Sequence, residues 1–255
     1  MSPADEIRSS LDRAQSVCVL TGAGISAESG VPTFRGAGGL WKGSRAEQLA
    51  TPQGFAHDPE LVWKWYDWRR QKLAEAKPNA GHLALAELQL RSARDGRLWT
   101  LVTQNVDGLH DLAAEALPEQ DAIAAPLKLH GDIWTLRCTG CEAERVDRCV
   151  PLPQLPPYCA CGHMERPGVV WFGEPLPLGT WTEAESASAM ADLFLVIGTS
   201  AVVYPAAGLA HIAQACGGHG KGAKIVEINP EETALSGSVD VAWRAPAAEA
   251  LPRLL

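Results

Sequence analysis

The stretch from Val17 to Gly36, VCVLTGAGISAESGVPTFRG, limits the folds open to this chain more than any other. Val17-Cys18-Val19-Leu20 is a short apolar run of the kind that forms a buried strand. It leads into Gly22-Ala23-Gly24. Small residues after a strand let the backbone approach a pyrophosphate, and the next helix points its N–H groups at it. Ser26, Glu28 and Ser29 mark the expected start of that helix. Residues 30–36 then break the pattern as a Gly/Pro-bounded loop, with Phe34 and Arg35 placed to close over a ligand. Gly-x-Gly turns of this kind are common, so the decisive signals come later in the chain.

The same rhythm of short apolar strand and helix continues. Ile7 and Leu11 lie on one face of an N-terminal amphipathic helix. Pro59 to Leu73 reads as a helix with Pro near its first position, and His82 to Arg94 as a second one. Strands are expected at Trp99–Thr103, Pro126–Leu129, Val169–Phe172, Leu193–Ile197 and Lys224–Ile228. Helices are expected at 107–116, Thr182–Ala191 and Pro205–Ala215, with a flexible loop at Gly217–Gly222. The fold class is therefore α/β: a Rossmann-like parallel sheet with helices on both faces. Residues 1–36, 81–134 and 168–255 form the nucleotide-binding part. Residues 37–80 form a helical insertion crowded with Trp63, Trp65, Tyr66 and Trp68, an aromatic stripe that belongs to a core.

Seven cysteines are present. Cys138-x-x-Cys141 and Cys159-x-Cys161 cluster within residues 135–167 and fit a tetrahedral zinc site of four thiolates. The tight second pair leaves Cys149 and His163 open as substitutes for one ligand. No His or Glu is placed to activate water there, so the site is expected to be structural. Pro151 to Pro157 favours an extended linker. The formal net charge of −8 over 255 residues argues against nucleic acid as a partner. No apolar run approaches the roughly 20 residues that span a bilayer. The N-terminus has neither an apolar secretory core nor an Arg-rich, acid-free presequence, so a cytoplasmic location with no membrane partner is expected.

Polar residues follow the strands, where open parallel sheets bind ligands. Gln104, Asn105 and Asp107 follow one strand, although Asn and Asp also suit turns for local reasons. His130 ends another. It reads either as a hydrogen-bonded strand-end histidine or as a base titrating near neutrality.

Taken together, residues 22–36, Gln104-Asn105-Val106-Asp107-Gly108-Leu109-His110, Leu129-His130-Gly131, Val170-Trp171-Phe172-Gly173-Glu174, Gly198-Thr199-Ser200 and Ile228-Asn229-Pro230 resemble, in order, the motifs of the sirtuin family. These are the NAD-dependent protein-lysine deacylases, and the resemblance runs from about Val17 to the C-terminus. It implies that NAD is a consumed co-substrate held by Gly22, Ala23, Gly24, Ser26, Phe34, Arg35, Trp41, Gln104, Asn105, Val106, Asp107, Gly198, Thr199, Ser200, Asn229 and the backbone near Ala247. Asn105 would order the ribose and a water, Asp107 the nicotinamide carboxamide, Phe34 would shield the ribose carbon, and Arg35 would hold phosphates. The implied chemistry is attack of the acyl-lysine oxygen on the anomeric carbon as nicotinamide leaves. His130 then deprotonates a ribose hydroxyl. Free lysine and O-acyl-ADP-ribose result. The acyl-lysine peptide would lie along Phe172, Gly173, Glu174 and Val203 by strand addition.

One departure bears on the substrate. Most sirtuins carry Asp where this chain has Thr33. The branch with Thr there also carries Tyr-x-x-Arg, matched here by Tyr66 and Arg69. Residues i and i+3 share a helix face, and a phenol beside a guanidinium can bind a carboxylate. With small Ala50, this favours succinyl, malonyl or glutaryl groups on lysine. The alternatives are a general deacetylase on which the pair is a surface feature, an ADP-ribosyltransferase, a non-enzymatic NAD module, and a hydride-transferring dehydrogenase. The last needs an acidic residue after a second strand, and Glu47 alone has the spacing.

Overall fold

Val17 and Val19 face one side of strand β1 (Ser16–Thr21), and Cys18 and Leu20 face the other. That alternation gives the molecule its layers. The computed structural model describes residues 2–32, 40–41 and 44–255, the side chains of 40–46 and of His219 excepted. In chain order, helix α1 (Pro3–Arg13) precedes β1, and a 3₁₀ turn (Ala23–Ser29) follows it. Then come β2 (Leu40–Trp41), β3 (Ser44–Arg45), α2 (Ala46–Leu49), α3 (Pro52–His57), α4 (Pro59–Glu75), α5 (Ala80–Arg94), β4 (Leu98–Thr103), α6 (Leu109–Glu115) and β5 (Leu127–Lys128). Strands β6 (Gly131–Cys138), β7 (Glu144–Val146) and β8 (Glu165–Val169) lead to α7 (Leu178–Met190), β9 (Leu193–Ile197), α8 (Gly208–Gly220), β10 (Lys224–Ile228), β11 (Val241–Trp243) and α9 (Ala247–Ala250).

Among the described residues, the main sheet has six parallel strands in the order β11-β10-β9-β1-β4-β5. One face is covered by α1, α5, α9 and the C-terminal 3₁₀ turn (Leu251–Leu254), through Ile7, Leu11, Leu85, Leu88 and Leu251. The other is covered by α7 and α8, through Ala184, Leu209, Ala210 and Ala213. Strand order reverses at β1, which lies between β4 and β9, and ligands of open parallel sheets bind at such a switch point. Register puts the strand ends level. Thr21 pairs with Thr103 and with Ile197, Ile197 with Ile228, and Thr103 with Lys128. The loops at Gly22, Gln104, Gly198, Asn229 and His130 therefore start at one rim.

A third core joins the insertion to a small antiparallel sheet, β7-β6-β8. Val62, Trp63, Trp65, Tyr66 and Leu73 of α4 pack on Ile133, Trp134, Leu136, Val169 and Trp171. Trp63 and Trp65 are core residues as the stripe predicts, whereas Trp68 is exposed. Asp58 caps α4 by accepting the Leu61 N–H at 2.9 Å.

Several expected elements differ. The helix expected to begin near Ser26 is the 3₁₀ turn beginning at Ala23, and Gly30 ends it at φ 78°. The strand expected at Val169–Phe172 lies at Glu165–Val169, antiparallel to β6 and outside the main sheet. Residues 170–174 form a turn, because Glu174 N–H bonds the Trp171 carbonyl and the Trp171 N–H bonds the Glu174 carboxylate. Helix α7 starts at Leu178, earlier than Thr182, and α8 starts at Gly208, later than Pro205. The loop expected at Gly217–Gly222 is in good part the end of α8, held through the Gly218 N–H on the Ala191 carbonyl. Among the described residues, no helix is long and apolar enough to cross a membrane.

Candidate active site

The glycine turn after β1 packs directly on the turn after β9. Gly22 N–H bonds the Ile197 carbonyl at 3.0 Å and Gly24 N–H bonds the Gly198 carbonyl at 2.7 Å. A Cβ on Gly24 would stand 2.7 Å from both the Cα and the carbonyl oxygen of Gly198, and Gly198 itself sits at φ 60°. No side chain fits between the two turns, so their backbones lie in direct contact at the rim. Thr199 Oγ1 accepts from Gln104 Nε2 at 3.1 Å, and the Thr199 carbonyl accepts from Asn229 Nδ2 at 2.8 Å. These bonds tie the turns after β4 and β10 to the same rim, and half-buried Ser200 follows Thr199 on it.

Ser26, fully buried, is the hub of the polar cluster. Its Oγ donates to Asp107 Oδ2 at 2.7 Å and accepts from Asn105 Nδ2 at 3.1 Å. It also lies 3.3 Å from His82 Nε2. His82 Nδ1 accepts the Asn79 N–H at 3.3 Å, so the His82 proton sits on Nε2 and is given to Ser26. Asp107 Oδ1 accepts the Leu109 N–H at 2.9 Å, and its carbonyl takes Trp134 Nε1–H at 2.9 Å. Burial raises the Asp107 pKa, while the bonds from Leu109 and Ser26 oppose the rise. Burial pushes His82 down to about 4. It also holds His110 well below its ordinary value, with His82 and Lys128 adding to the effect. The two imidazoles meet edge to face at 4.9 Å. His110 Nε2 reaches Thr21 Oγ1 at 2.9 Å, and Thr21 bonds Thr103, whose hydroxyl accepts the Asn105 N–H. Val106 is half-buried, its carbonyl bonded to the Ile133 N–H.

His130 stands between the two sheets, after β5 and before β6. Its Nδ1 donates to the Gln104 carbonyl at 2.9 Å, which leaves the Nε2 lone pair as the basic site. Burial lowers its pKa, and the Gln104 bond partly offsets this. A neutral imidazole with a free Nε2 can accept a proton.

Beside this cluster, Trp171 Nε1 donates to Tyr66 Oη at 2.9 Å. Burial raises the phenol to about 12, with Arg69 opposing. The Arg69 guanidinium lies 5.1 Å from the centre of the Trp65 ring, which itself meets Tyr66 edge to face at 4.6 Å. Burial lowers the Arg69 pKa, and Tyr66 and Asp107 counteract it. Ala50 is buried, and its carbonyl takes the Phe172 N–H at 2.9 Å. Phe172, Val202, Val203 and Tyr204 are exposed apolar residues. Gly173 sits at φ 88°, and the Glu174 carboxylate is turned onto Arg166 rather than outward. At the far end, Ala247 opens α9. There Glu28 caps the helix by accepting the Ala248 N–H at 2.9 Å. Thr33, Phe34, Arg35 and the side chain of Trp41 lie outside the described residues.

The metal-ligand atoms of Cys138, Cys141, Cys159 and Cys161 all lie within 4.8 Å of one another. Gly162 N–H closes on the Cys159 carbonyl, and Gly162 takes φ 88°. That tight turn lets a Cys-x-Cys pair present both sulfurs to one centre. The Cys141 and Gly140 amides point at Cys138 Sγ and lower its pKa to about 6. Cys149 faces the Pro151 carbonyl, away from this group. His163 Nδ1 lies 3.5 Å from Cys161 Sγ, next to the cluster. Four thiols around one point, with amide donors on a sulfur, fit a structural zinc ion.

Residues 22–205 match the model of the Sir2 family. The chain belongs to the Sir2 family. Sirtuins are NAD-dependent protein deacylases, and NAD is their co-substrate. An NAD-dependent protein deacylase of Thermus thermophilus is 49% identical over 259 residues, covering 100% of this chain and 95% of that one. A Sir2 homologue solved as an NAD complex superposes with a TM-score of 0.86 at 44% identity, covering 98% of this chain and 91% of that one. A Sir2 protein bound to acetylated peptide gives 0.81 at 29% identity, with 100% and 97% covered. Sirtuin membership removes the dehydrogenase alternative, and topology agrees. The parallel strand after β1 is β4, whereas Glu47 sits on α2, ahead of it.

Sequence reasoning passed over four residues of this sirtuin's polar cluster: Thr21, His82, Thr103 and His110. His82 did carry a signal, a polar ring on the apolar face that includes Leu85 and Ala86 of α5. His110 stood inside a recognised motif without a role. Glu227, buried in β10, was also missed. It accepts from Ser236, Thr233 and Arg244, and so fixes the loop after Asn229.

Proposed function

We propose that this chain removes acidic acyl groups, namely succinyl, malonyl and glutaryl, from protein lysines. NAD is consumed, and nicotinamide, O-acyl-ADP-ribose and free lysine are released. The Trp171–Tyr66 hydrogen bond carries this reading. The phenol oxygen is already an acceptor, so its own hydrogen is left for a carboxylate. With its pKa near 12 the phenol stays protonated at working pH. Arg69, one turn along the same helix face, supplies the charge. Its desolvation favours a bound anion over water. Small Ala50 leaves room for the acyl chain.

NAD, when bound, supplies an electrophilic ribose carbon. The turns Gly22-Ala23-Gly24 and Gly198-Thr199 would lie against its phosphates, and Ser200, Asn229 and the Ala247 backbone would hold its adenosine end. Asp107 and Val106 would face the carboxamide. Asn105 would orient the ribose, positioned by Ser26. His130 would take the proton of a ribose hydroxyl at Nε2. The substrate backbone would run between Phe172-Gly173-Glu174 and Val203, which predicts loose sequence preference. The four-cysteine site, distant from these groups in role, would hold zinc as a structural tie.

The test is nicotinamide release with matched acetyl-, succinyl- and glutaryl-lysine peptides, for wild type and Arg69→Met. Faster turnover of the acidic peptides, lost in Arg69→Met, supports the reading. A wild-type preference for acetyl that Arg69→Met leaves unchanged would make the chain a general deacetylase.

A further inference from the structure

Tyr66 receives its hydrogen bond from an indole against which the Arg166 guanidinium is stacked. The Arg166 guanidinium carbon lies 3.5 Å from the centre of the Trp171 ring. Its two terminal nitrogens fork onto Glu174, at 2.6 Å to Oε1 and 2.8 Å to Oε2, and Nη2 also donates to the Val169 carbonyl at 3.0 Å. Glu174 Oε2 in turn accepts the Trp171 N–H at 2.8 Å. The arginine thus closes the 169–174 turn and covers one face of the indole. Phe55 touches the same ring at 5.1 Å.

As packing alone this is a costly arrangement. Arg166 Nε is buried without a hydrogen-bond partner, and a half-buried ion pair does not generally stabilise more than apolar residues of the same volume. What an arginine does here that an apolar residue does not is fix a plane. It stacks on the indole while its fork sets the rotation of the guanidinium, and the stacked ring then aims Nε1–H at Tyr66 Oη. A donor on that oxygen also polarises the phenol, making its hydrogen a stronger donor toward a carboxylate.

Resting on the acidic-acyl reading of Tyr66 and Arg69, we propose that Arg166 is a positioning residue for acyl selectivity, acting on Tyr66 through the Trp171 indole. The rest of the turn is tied independently of Arg166: Val170 N–H bonds the His130 carbonyl and Phe172 N–H bonds the Ala50 carbonyl, each at 2.9 Å. Loss of Arg166 therefore disturbs recognition of the acyl carboxylate while leaving the base in place. An acetyl group has no carboxylate and does not use the phenol.

The experiment measures KM and kcat of the full chain on succinyl- and acetyl-lysine peptides of one sequence. The variants are Arg166→Met, Arg166→Lys, Trp171→Phe, the double Arg166→Met/Trp171→Phe, and Arg69→Met. Arg166→Met is expected to raise KM for the succinyl peptide about 10-fold, the scale of one stacked cation, with kcat little changed and the acetyl constants within about 2-fold. Trp171→Phe, which keeps a ring but removes the N–H, gives a shift of the same kind, and the double variant adds nothing to it. If Arg166→Met does not fold, Arg166→Lys decides: it keeps the charge opposite Glu174, loses the planar fork, and still shifts the succinyl-to-acetyl ratio. An equal loss on both peptides, an additive double variant, or an unchanged ratio in Arg166→Lys overturns the proposal. If Arg69→Met shifts the ratio and the Arg166 variants do not, only the positioning role fails. If Arg69→Met also leaves it unchanged, the acidic-acyl reading falls and the positioning role falls with it.

Discussion

His130 Nδ1 donates to the backbone carbonyl of Gln104 across 2.9 Å, and a carbonyl oxygen can only accept. The tautomer of the candidate base is thereby set by the turn after β4, the same turn that carries Asn105 and Asp107. Because burial lowers the His130 pKa, the imidazole is neutral and competent above its ordinary value of 6.5. The acid limb of kcat/KM is expected below pH 6.5, with activity lost as pH falls through the lowered pKa. His130→Ala should cost about 10²- to 10⁴-fold in deacylation. A pH series on wild type, with nicotinamide release as readout, checks the limb. An acid limb above pH 6.5 counts against His130 as its source.

Acid sensitivity of the fold has a separate origin. His82 is held at about 4 by burial, against 6.5 for the free side chain. Its folded pKa is depressed, so its contribution is intact above pH 6.5 and is lost as pH falls toward 4, because the unfolded chain takes the proton first. That loss amounts to about 3 kcal/mol at most, and His110 acts in the same direction. Denaturant melts at pH 7.5, 6 and 5 should show falling stability. His82→Gln, which has no group titrating there, should flatten the decline.

Much of this site was legible because its residues follow strands whose apolar runs are unmistakable. Leu193–Ile197 and Lys224–Ile228 fall where the sequence puts them, and in-register ends bring Gly198 and Asn229 to one rim. What was not legible depends on contacts between distant segments. Residues 170–172 have β-forming side chains, yet the Glu174 carboxylate on the Trp171 N–H turns them out of a strand. The glycine-rich end of α8 reads as loop by propensity, but a tertiary bond from the Gly218 N–H to the Ala191 carbonyl holds it. Strand β11 is too short for periodicity to show. His82 joins the site only because α5 packs beside the 3₁₀ turn carrying Ser26.

Ser26 lets a substitution test that packing. Ser26→Ala removes the hydroxyl between Asn105, Asp107 and His82, leaving the His82 Nε2–H buried without an acceptor. An orphaned buried donor costs about 1–3 kcal/mol. The variant is expected to fold with a lowered melting point and to lose deacylase turnover more than NAD affinity, since Asn105 loses its anchor while the glycine turns are untouched. Isothermal titration with NAD alongside kcat separates the two.

Gly24→Ala acts on the turns themselves. The added methyl would stand 2.7 Å from backbone atoms of Gly198, and neither turn can yield without breaking the Gly24–Gly198 hydrogen bond. Overpacking of this kind costs about 1–3 kcal/mol. NAD binding should weaken sharply, with Tyr66 and Arg69 unaffected. Weak NAD binding with an unchanged succinyl-to-acetyl ratio at saturating NAD is the expected pattern.

Zinc removal should act through architecture. The four cysteines bridge the end of β6 to the 159–161 turn, just ahead of β8. β6 and β8 are the strands on which Trp63, Trp65 and Tyr66 pack, and β8 leads into the 170–174 turn. Without the ion, four clustered thiols gain nothing from proximity and the 138–161 segment is free to open. One zinc per chain is expected by elemental analysis, with loss in Cys161→Ser. Chelation should lower the melting point and, because the 170–174 turn contacts both His130 and Tyr66, reduce turnover of every acyl peptide alike. Activity that survives complete metal removal at full rate would separate the cysteine cluster from the fold of the active site.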